Sequence, residues 1–360
     1  MKSFVITTSF LVFGAQRIFA IPFTSDEPNA ILQGRAVPKL AHVAAEKNAP
    51  WHLVRISEKK GDTNALMTTD NGTYYHDSRS GAGVDAYVID TEITTTHPDF
   101  GGRFQMFGYG QSVSKNMSGH GTAVAGVLGG SKFGVAKKVN LLGCYSDLYT
   151  DCITMITKRH KERAAGKEAD PKNNDSFVGS VINISRATDS VVLSQFGISP
   201  HQQRIKFDKL QAAITAAIKE GIHITLAAGN DHQDACETAP QGIYEEVQDM
   251  LVVEFSNTGG CVNIWAPGEQ IGQPTVNDGY TKNDGTSFAA PIVAGVIAEM
   301  MVRHPKLSQS PRKMKNFLLG KGDHEGNEIK SKNGGPTAGR TGVIEGYPDY
   351  NVIYNGIHEV

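Results

Sequence analysis

Four residues with the chemistry of acyl transfer are scattered along the chain: Asp90, His120, Asn230 and Ser287. Asp90 closes Tyr87-Val88-Ile89-Asp90, and His120 stands in Ser118-Gly119-His120-Gly121-Thr122. Asn230 ends Ala227-Ala228-Gly229-Asn230, and Ser287 lies in Gly285-Thr286-Ser287-Phe288-Ala289-Ala290-Pro291. Singly, each has an ordinary structural reading. Asp or Asn after a strand forms turns, a lone His is commonly structural, and Ser before an apolar helix is an N-cap. Together they fill the roles that hydrolysis of an acyl bond requires. Ser287 is the nucleophile, His120 the base and Asp90 the carboxylate that orients it; the Asn230 amide and the Ser287 N–H are donors to the oxyanion. Gly119 and Gly121 let backbone pass close to His120, and Gly285 clears space beside Ser287. Pro291 is expected in the first turn after Ser287, where a missing N–H matters little. An esterase of another fold would need Gly-x-Ser-x-Gly, and Ala289 stands at the second glycine position.

These residues need elements to hold them. Asp85 to Ile89 reads as a buried strand running into Asp90, and residues 139–142, 180–185 and 222–226 read as further strands. Helical spacing covers Thr150 to Ala165, where the Lys158-Arg159-His160-Lys161 run reads as a solvated face. Phe207 to Glu220 is amphipathic, with Leu210, Ile214, Ala217 and Ile218 on one face, and Gly221 stops it. Ala289 to Arg303 is apolar almost all round and therefore buried; Pro305 ends it. Strands alternating with helices give an α/β fold with a mostly parallel sheet covered on both faces. Ligand sites in such sheets collect at the carboxyl ends of strands, where Asp90 and Asn230 fall. Residues 321–345 read as a surface loop and 352–354 as a short edge strand.

Composition bounds the rest. A net charge of −2, with 39% apolar and 20% charged residues in a chain of 360, gives no reason to expect nucleic acid or membrane partners. Lys2, the apolar run Phe4 to Gly14 and Ile18-Phe19-Ala20 read as a signal peptide over residues 1–20, so secretion is expected. That run is too short to span a bilayer, and no later stretch reads as long enough. Residues 21–48 form a short polar segment, and residues 49–360 the main domain. Four cysteines in an exported chain suggest disulfides; three connectivities are open, local pairing of Cys144 with Cys152 and Cys236 with Cys261 being the simplest. Asn71, Asn116, Asn174 and Asn183 begin glycosylation sequons, of which Asn183 lies in an expected core strand.

The three motifs, in the order Asp90, His120, Ser287, resemble those of the subtilisin-like serine proteases (subtilases, peptidase family S8), nearest the proteinase K-like branch of fungi. The resemblance extends from Ala49-Pro50-Trp51 to Tyr354-Asn355-Gly356, through His97-Pro98-Asp99-Phe100, Phe133-Gly134-Val135-Ala136, Phe255-Ser256-Asn257 and Ala266-Pro267-Gly268. It implies a three-layer α/β sandwich and a monomeric serine endopeptidase acting on proteins or peptides. It implies Asp90, His120 and Ser287 as triad and Asn230 as oxyanion donor. Ser185, Arg186, Ala187, Ala228 and Gly229 would border the substrate, and Cys236 would pair with Cys261. No cofactor is required; structural calcium is common in the family, but Asp231, Asp234 and the other acids show no ligand spacing that assigns it. Departures from the family pattern are Glu92 for a glycine, Ala123 and Ile292 for histidines, Asp284 for a serine, and Ser185-Arg186-Ala187-Thr188 for Ser-Leu-Gly-Gly. Residues 21–48 are too few for the folded inhibitory prodomain of such proteases. Glu92, the altered Ser185 to Thr188 strand and the short N-terminal segment support an alternative: a catalytically impaired subtilase fold that binds peptides or proteins.

Overall fold

The computed structural model describes residues 42–57, 70–91, 93–108, 119–145, 149–168, 176–186, 199–237, 251–254, 257–319, 332–333 and 351–353, with Asn355 and Ile357. In chain order the first elements are β1 (Val43–Ala49), α1 (Trp51–Ser57), β2 (Gly72–Asp77), β3 (Val84–Asp90), β4 (Phe104–Met106), α2 (His120–Gly129) and β5 (Asn140–Tyr145). There follow α3 (Tyr149–Ala164), β6 (Gly179–Ile184), α4 (Pro200–Lys219), β7 (His223–Ala227), β8 (Leu251–Glu254) and β9 (Ile264–Trp265). The last are β10 (Ile271–Pro274), β11 (Tyr280–Asn283), α5 (Thr286–Arg303), α6 (Pro311–Leu318), β12 (Lys332–Asn333) and β13 (Asn351–Val352).

One sheet has the order β12-β13-β9-β8-β7-β6-β3-β5-β4 and is parallel throughout except where β12 meets β13. The alternation along β3 shows why both its faces must be covered. Val84, Ala86 and Val88 enter one core with residues of α2 and α5, while Tyr87 and Ile89 enter a second with residues of α3 and α4. The chain is thus a three-layer α/β sandwich, as its sequence led one to expect. The centre of the sheet, β6-β3-β5 with β7 beyond β6, brings the ends of the expected site strands side by side.

Several elements differ from their sequence reading. The helix expected from Phe207 begins at Pro200, because Ser199 and Gln202 form a reciprocal capping box that precedes the apolar stripe. Val352 is not on an edge: β13 pairs with β9 on one side and β12 on the other. Helix α5 is the one helix among the described residues long and apolar enough to cross a membrane, but 83% of it is buried in this fold, so it is a core helix. Of the polar segment before residue 49, the part from Val43 is strand β1, paired with β2.

Helix α5 also carries a buried acid, Glu299. Its carboxylate accepts the Asp77 N–H at 3.0 Å and faces the Ser80 hydroxyl at 3.5 Å. Burial pushes its pKa up from 4.5 to about 7, against the pull of Arg303. The folded state therefore holds this proton more tightly than the unfolded chain. The stabilisation is complete below about pH 4.5 and is lost as the pH rises through 7, a loss on the order of 3 kcal/mol. Glu299→Gln, whose amide carbonyl can still accept the Asp77 N–H, is expected to flatten that part of the pH dependence. Urea midpoints of both proteins at pH 5 and pH 8 check this.

Candidate active site

Asp90 is the last residue of β3, with its side chain buried. Its Oδ1 accepts from the Thr91 N–H at 2.7 Å and meets His120 Nδ1 at 2.7 Å. Two donors on one oxygen fix the carboxylate, and the imidazole turned to it by Nδ1 presents Nε2 on its far side. His120 is the first residue of α2, where backbone N–H groups have no intrahelical partner. The chain after β3 uses this: Thr91 Oγ1 accepts the Gly121 N–H at 2.9 Å, and Thr122 Oγ1 accepts the Thr94 N–H at 2.9 Å. The same helix start that presents His120 is thereby tied to the strand end that presents Asp90. The His120 ring lies 5.9 Å from that of Phe288, the residue after Ser287.

Ser287 is the second residue of α5, and the N-cap is Gly285 rather than Ser287. The Ser287 N–H has no hydrogen bond among the described residues. A Cβ on Gly285 would come no closer than 3.7 Å to the Asn230 side chain, so space does not require the glycine. Its φ of +147° does. Pro291 is the sixth residue of the helix, beyond the first turn, and its missing N–H deprives the Ser287 carbonyl of its helical donor. The Ser185 hydroxyl replaces that donor at 2.7 Å. In return the Ser287 hydroxyl donates to the Ser185 carbonyl at 3.0 Å. Asn183 Nδ2 donates to Ser185 Oγ at 2.8 Å, and the Thr225 hydroxyl donates to Asn183 Oδ1 at 3.0 Å. Asn183 is fully buried within β6, so its sequon is closed to modification, whereas Asn71 is exposed.

Asn230 follows β7 with its side chain exposed. Its Oδ1 accepts from both the Thr286 N–H (2.9 Å) and the Thr286 hydroxyl (3.0 Å). A backbone N–H can only donate, so the amide oxygen must face it and Nδ2 points away. Asn230 Nδ2 has no hydrogen bond among the described residues. Thr286 Oγ1 also accepts the Gly229 N–H at 3.2 Å. Beneath this loop lies Asn257, fully buried. Its Nδ2 donates to the Ala228 carbonyl (2.9 Å), and its Oδ1 accepts the N–H groups of Asp231 (2.9 Å) and Gln233 (3.1 Å). Gly229 has φ +104°, and a Cβ there would fall 2.3 Å from Asn257 Nδ2. Thr286 and Asn257 are positioning residues to which the sequence reading gave no role. Asn257 entered it only as part of Phe255-Ser256-Asn257, one of the stretches that carry the resemblance, and Thr286 only as the neighbour of Ser287.

Of the expected substrate-bordering residues, Ser185, Ala228 and Gly229 are buried and Arg186 is half-buried; Ala187, Thr188 and Glu92 lie outside the described residues. All four cysteines are paired, Cys144 with Cys152 and Cys236 with Cys261. The second bridge lies just beyond the Asn257-clamped loop. Ala123 and Ile292 both belong to the apolar core. Asp284 accepts the Gln270 N–H, holding the chain that leads into Gly285.

The family model described as the subtilase family matches residues 81–335. The chain is 34% identical over 306 residues to the subtilisin-like serine protease pepC of Aspergillus niger, covering 77% of this chain and 52% of that protein. It is 33% identical to the subtilisin-like serine protease Pen c 2 of Penicillium citrinum, covering 77% and 61%. It thus spans little more than half the length of these curated relatives. Among solved structures, that of a cold adapted subtilisin-like serine proteinase aligns with a TM-score of 0.59 at 28% identity, covering 86% of this chain and 99% of that one.

Asn257→Ala is expected to destabilise the protein by about 1–3 kcal/mol, since it leaves the buried Ala228 carbonyl unpaired and releases the N–H groups of Asp231 and Gln233. Urea unfolding measures the loss; a change under about 0.5 kcal/mol, the level of an ordinary surface substitution, would contradict the clamp.

Proposed function

The chain belongs to the subtilase family, and from that premise we propose that it is a serine endopeptidase with Asp90, His120 and Ser287 as its triad. The observation that carries this reading is the 2.7 Å Asp90–His120 contact, with the His120 ring 5.9 Å from that of Phe288, the residue after Ser287. Ser287 Oγ leaves the Ser185 carbonyl and attacks the scissile carbonyl carbon while His120 Nε2 takes its proton. The negative charge on the former carbonyl oxygen is met by the Ser287 N–H and Asn230 Nδ2, both unpartnered among the described residues. Asp90 stabilises the imidazolium without taking its proton. His120 then gives that proton to the leaving amine, and the same base activates water to release the acyl group from Ser287.

Residues 1–20 would direct export as a signal peptide. Pairing of all four cysteines supports an oxidising compartment. Substrates would be proteins or peptides lying past Ser185 and Arg186.

Cleavage of denatured casein by the purified protein tests the assignment. Ser287→Ala and His120→Ala are each expected to abolish it to near background. Asn230→Ala should lower kcat and leave KM nearly unchanged, by a factor of about 10²–10³ if it follows subtilisin, the family member for which that figure is known. Peptide binding without any turnover would instead favour the impaired, peptide-binding alternative.

A further inference from the structure

A groove of about 450 Å³, with no triad residue in its lining, is bordered by residues 46–50, 131–133 and 280–282 together with Asp70. Its size is within the range of ligand pockets. Two of its borders belong to strands of two-stranded sheets, β1 paired with β2 and β11 paired with β10. Tyr280, Thr281 and Lys282 are consecutive in β11, whereas a strand face would contribute only alternate residues. No residue of β2 or β10 lines the groove. The groove therefore runs along the β11 edge that faces away from β10. Among the described residues, the backbone of Glu46–Lys47 and of Tyr280–Asn283 makes no hydrogen bond outside the β1–β2 and β10–β11 ladders.

The charges in the groove are unequal. Lys282 is paired with Asp70 at 3.0 Å, and Glu46 with Lys137 at 3.1 Å and His76 at 3.1 Å. Lys47 and Lys132 pair with no carboxylate among the described residues. Lys132 is held by rings instead, its Nζ 4.3 Å from the Tyr280 centroid and 5.1 Å from that of Phe133. Tyr280 is one of two large apolar side chains left exposed among the described residues, at 44%. Lysines on a free edge ordinarily deter pairing with another strand. Here they select for one that brings carboxylates.

We infer that this groove is an exosite that adds an extended, acidic segment of a protein substrate to the β11 edge, with Lys47 and Lys132 reading its carboxylates and Tyr280 its apolar side chains. The mode is strand addition, in which backbone hydrogen bonds give affinity and side chains give selection. Asn283, the last residue of β11, is four residues before Ser287, at most about 14 Å along an extended chain. A substrate held here has its neighbouring segment within reach of the nucleophile. The substrate role rests on the endopeptidase reading; the binding itself does not.

The test uses the full chain carrying Ser287→Ala, so that nothing is cleaved, and a fluorescein-labelled heptapeptide of alternating Glu and Val. Fluorescence anisotropy is compared for this peptide and for versions with Gln or Lys in place of Glu. The acidic peptide is expected to bind at least about tenfold tighter than the Gln version and to weaken as salt rises from about 0.05 to 0.3 M. Lys47→Ser with Lys132→Ser, and separately Tyr280→Ser, should each weaken it by about tenfold or more. Equal binding of the acidic and Lys peptides, or binding that survives both sets of substitutions, overturns the exosite and places the peptide elsewhere. Salt dependence and peptide charge are read on the unsubstituted groove, so they decide the matter even if a variant fails to fold. An inactive protein that binds the acidic peptide would sink the endopeptidase reading and leave the groove standing; an active one that does not bind it would do the reverse.

Discussion

The start of α5 depends on a hydroxyl that stands in for a missing backbone donor. Pro291 cannot supply the N–H that the Ser287 carbonyl would use in an uninterrupted helix, and Ser185 supplies an O–H at 2.7 Å. That contact spans 102 residues of sequence and joins the end of β6 to the beginning of α5. It is extended below by Asn183 and Thr225, so three adjacent elements share one chain of hydrogen bonds. Buried polar chains of this kind are favourable only when every member is satisfied, which makes their geometry stringent. The serine hydroxyl is held at the edge of that chain by the Ser185 carbonyl, available to turn away when a substrate enters.

A second constraint follows from where backbone groups are free. Inside the sheet and the helices they are already paired, so reactive positions collect where elements begin and end. Asp90 closes β3, Asn230 follows β7, His120 opens α2 and Ser287 opens α5. Ser287 is steadied by Ser185, and the other three by a threonine or asparagine that bonds to backbone at such an end. Thr91 joins the Asp90 strand to the His120 helix, Thr286 sets the Asn230 amide, and Asn257 holds the loop beneath it. The supporting residues are polar, Thr286 and Asn257 fully buried and Thr91 half-buried, and their effect is to limit the directions in which the reactive groups can point.

The outer edge of β11 carries the same logic outward. On the side away from β10 it pairs with no other strand among the described residues, and its backbone there lies beside lysines and an exposed tyrosine. That a catalytic helix follows directly from this strand links a surface feature to the nucleophile by a few residues of chain.

Periodicity in the sequence was enough to determine the layered α/β fold, because burial on both faces of a parallel sheet leaves continuous apolar strands such as Tyr87-Val88-Ile89. The residue types with reactive side chains were legible too, since nucleophile, base and orienting acid are chemically distinctive. The helix cap was not: Gly285 and Ser287 differ in role through a backbone φ that no pattern of side chains announces. Nor was the place of Pro291 relative to the first turn, which shifted when α5 began at Thr286 instead of Ala289. Asn257, Thr286 and the groove along β11 are products of tertiary contact. Their partners are dozens to hundreds of residues distant, and a hydrogen bond depends on distance and direction in space, which order along the chain does not encode.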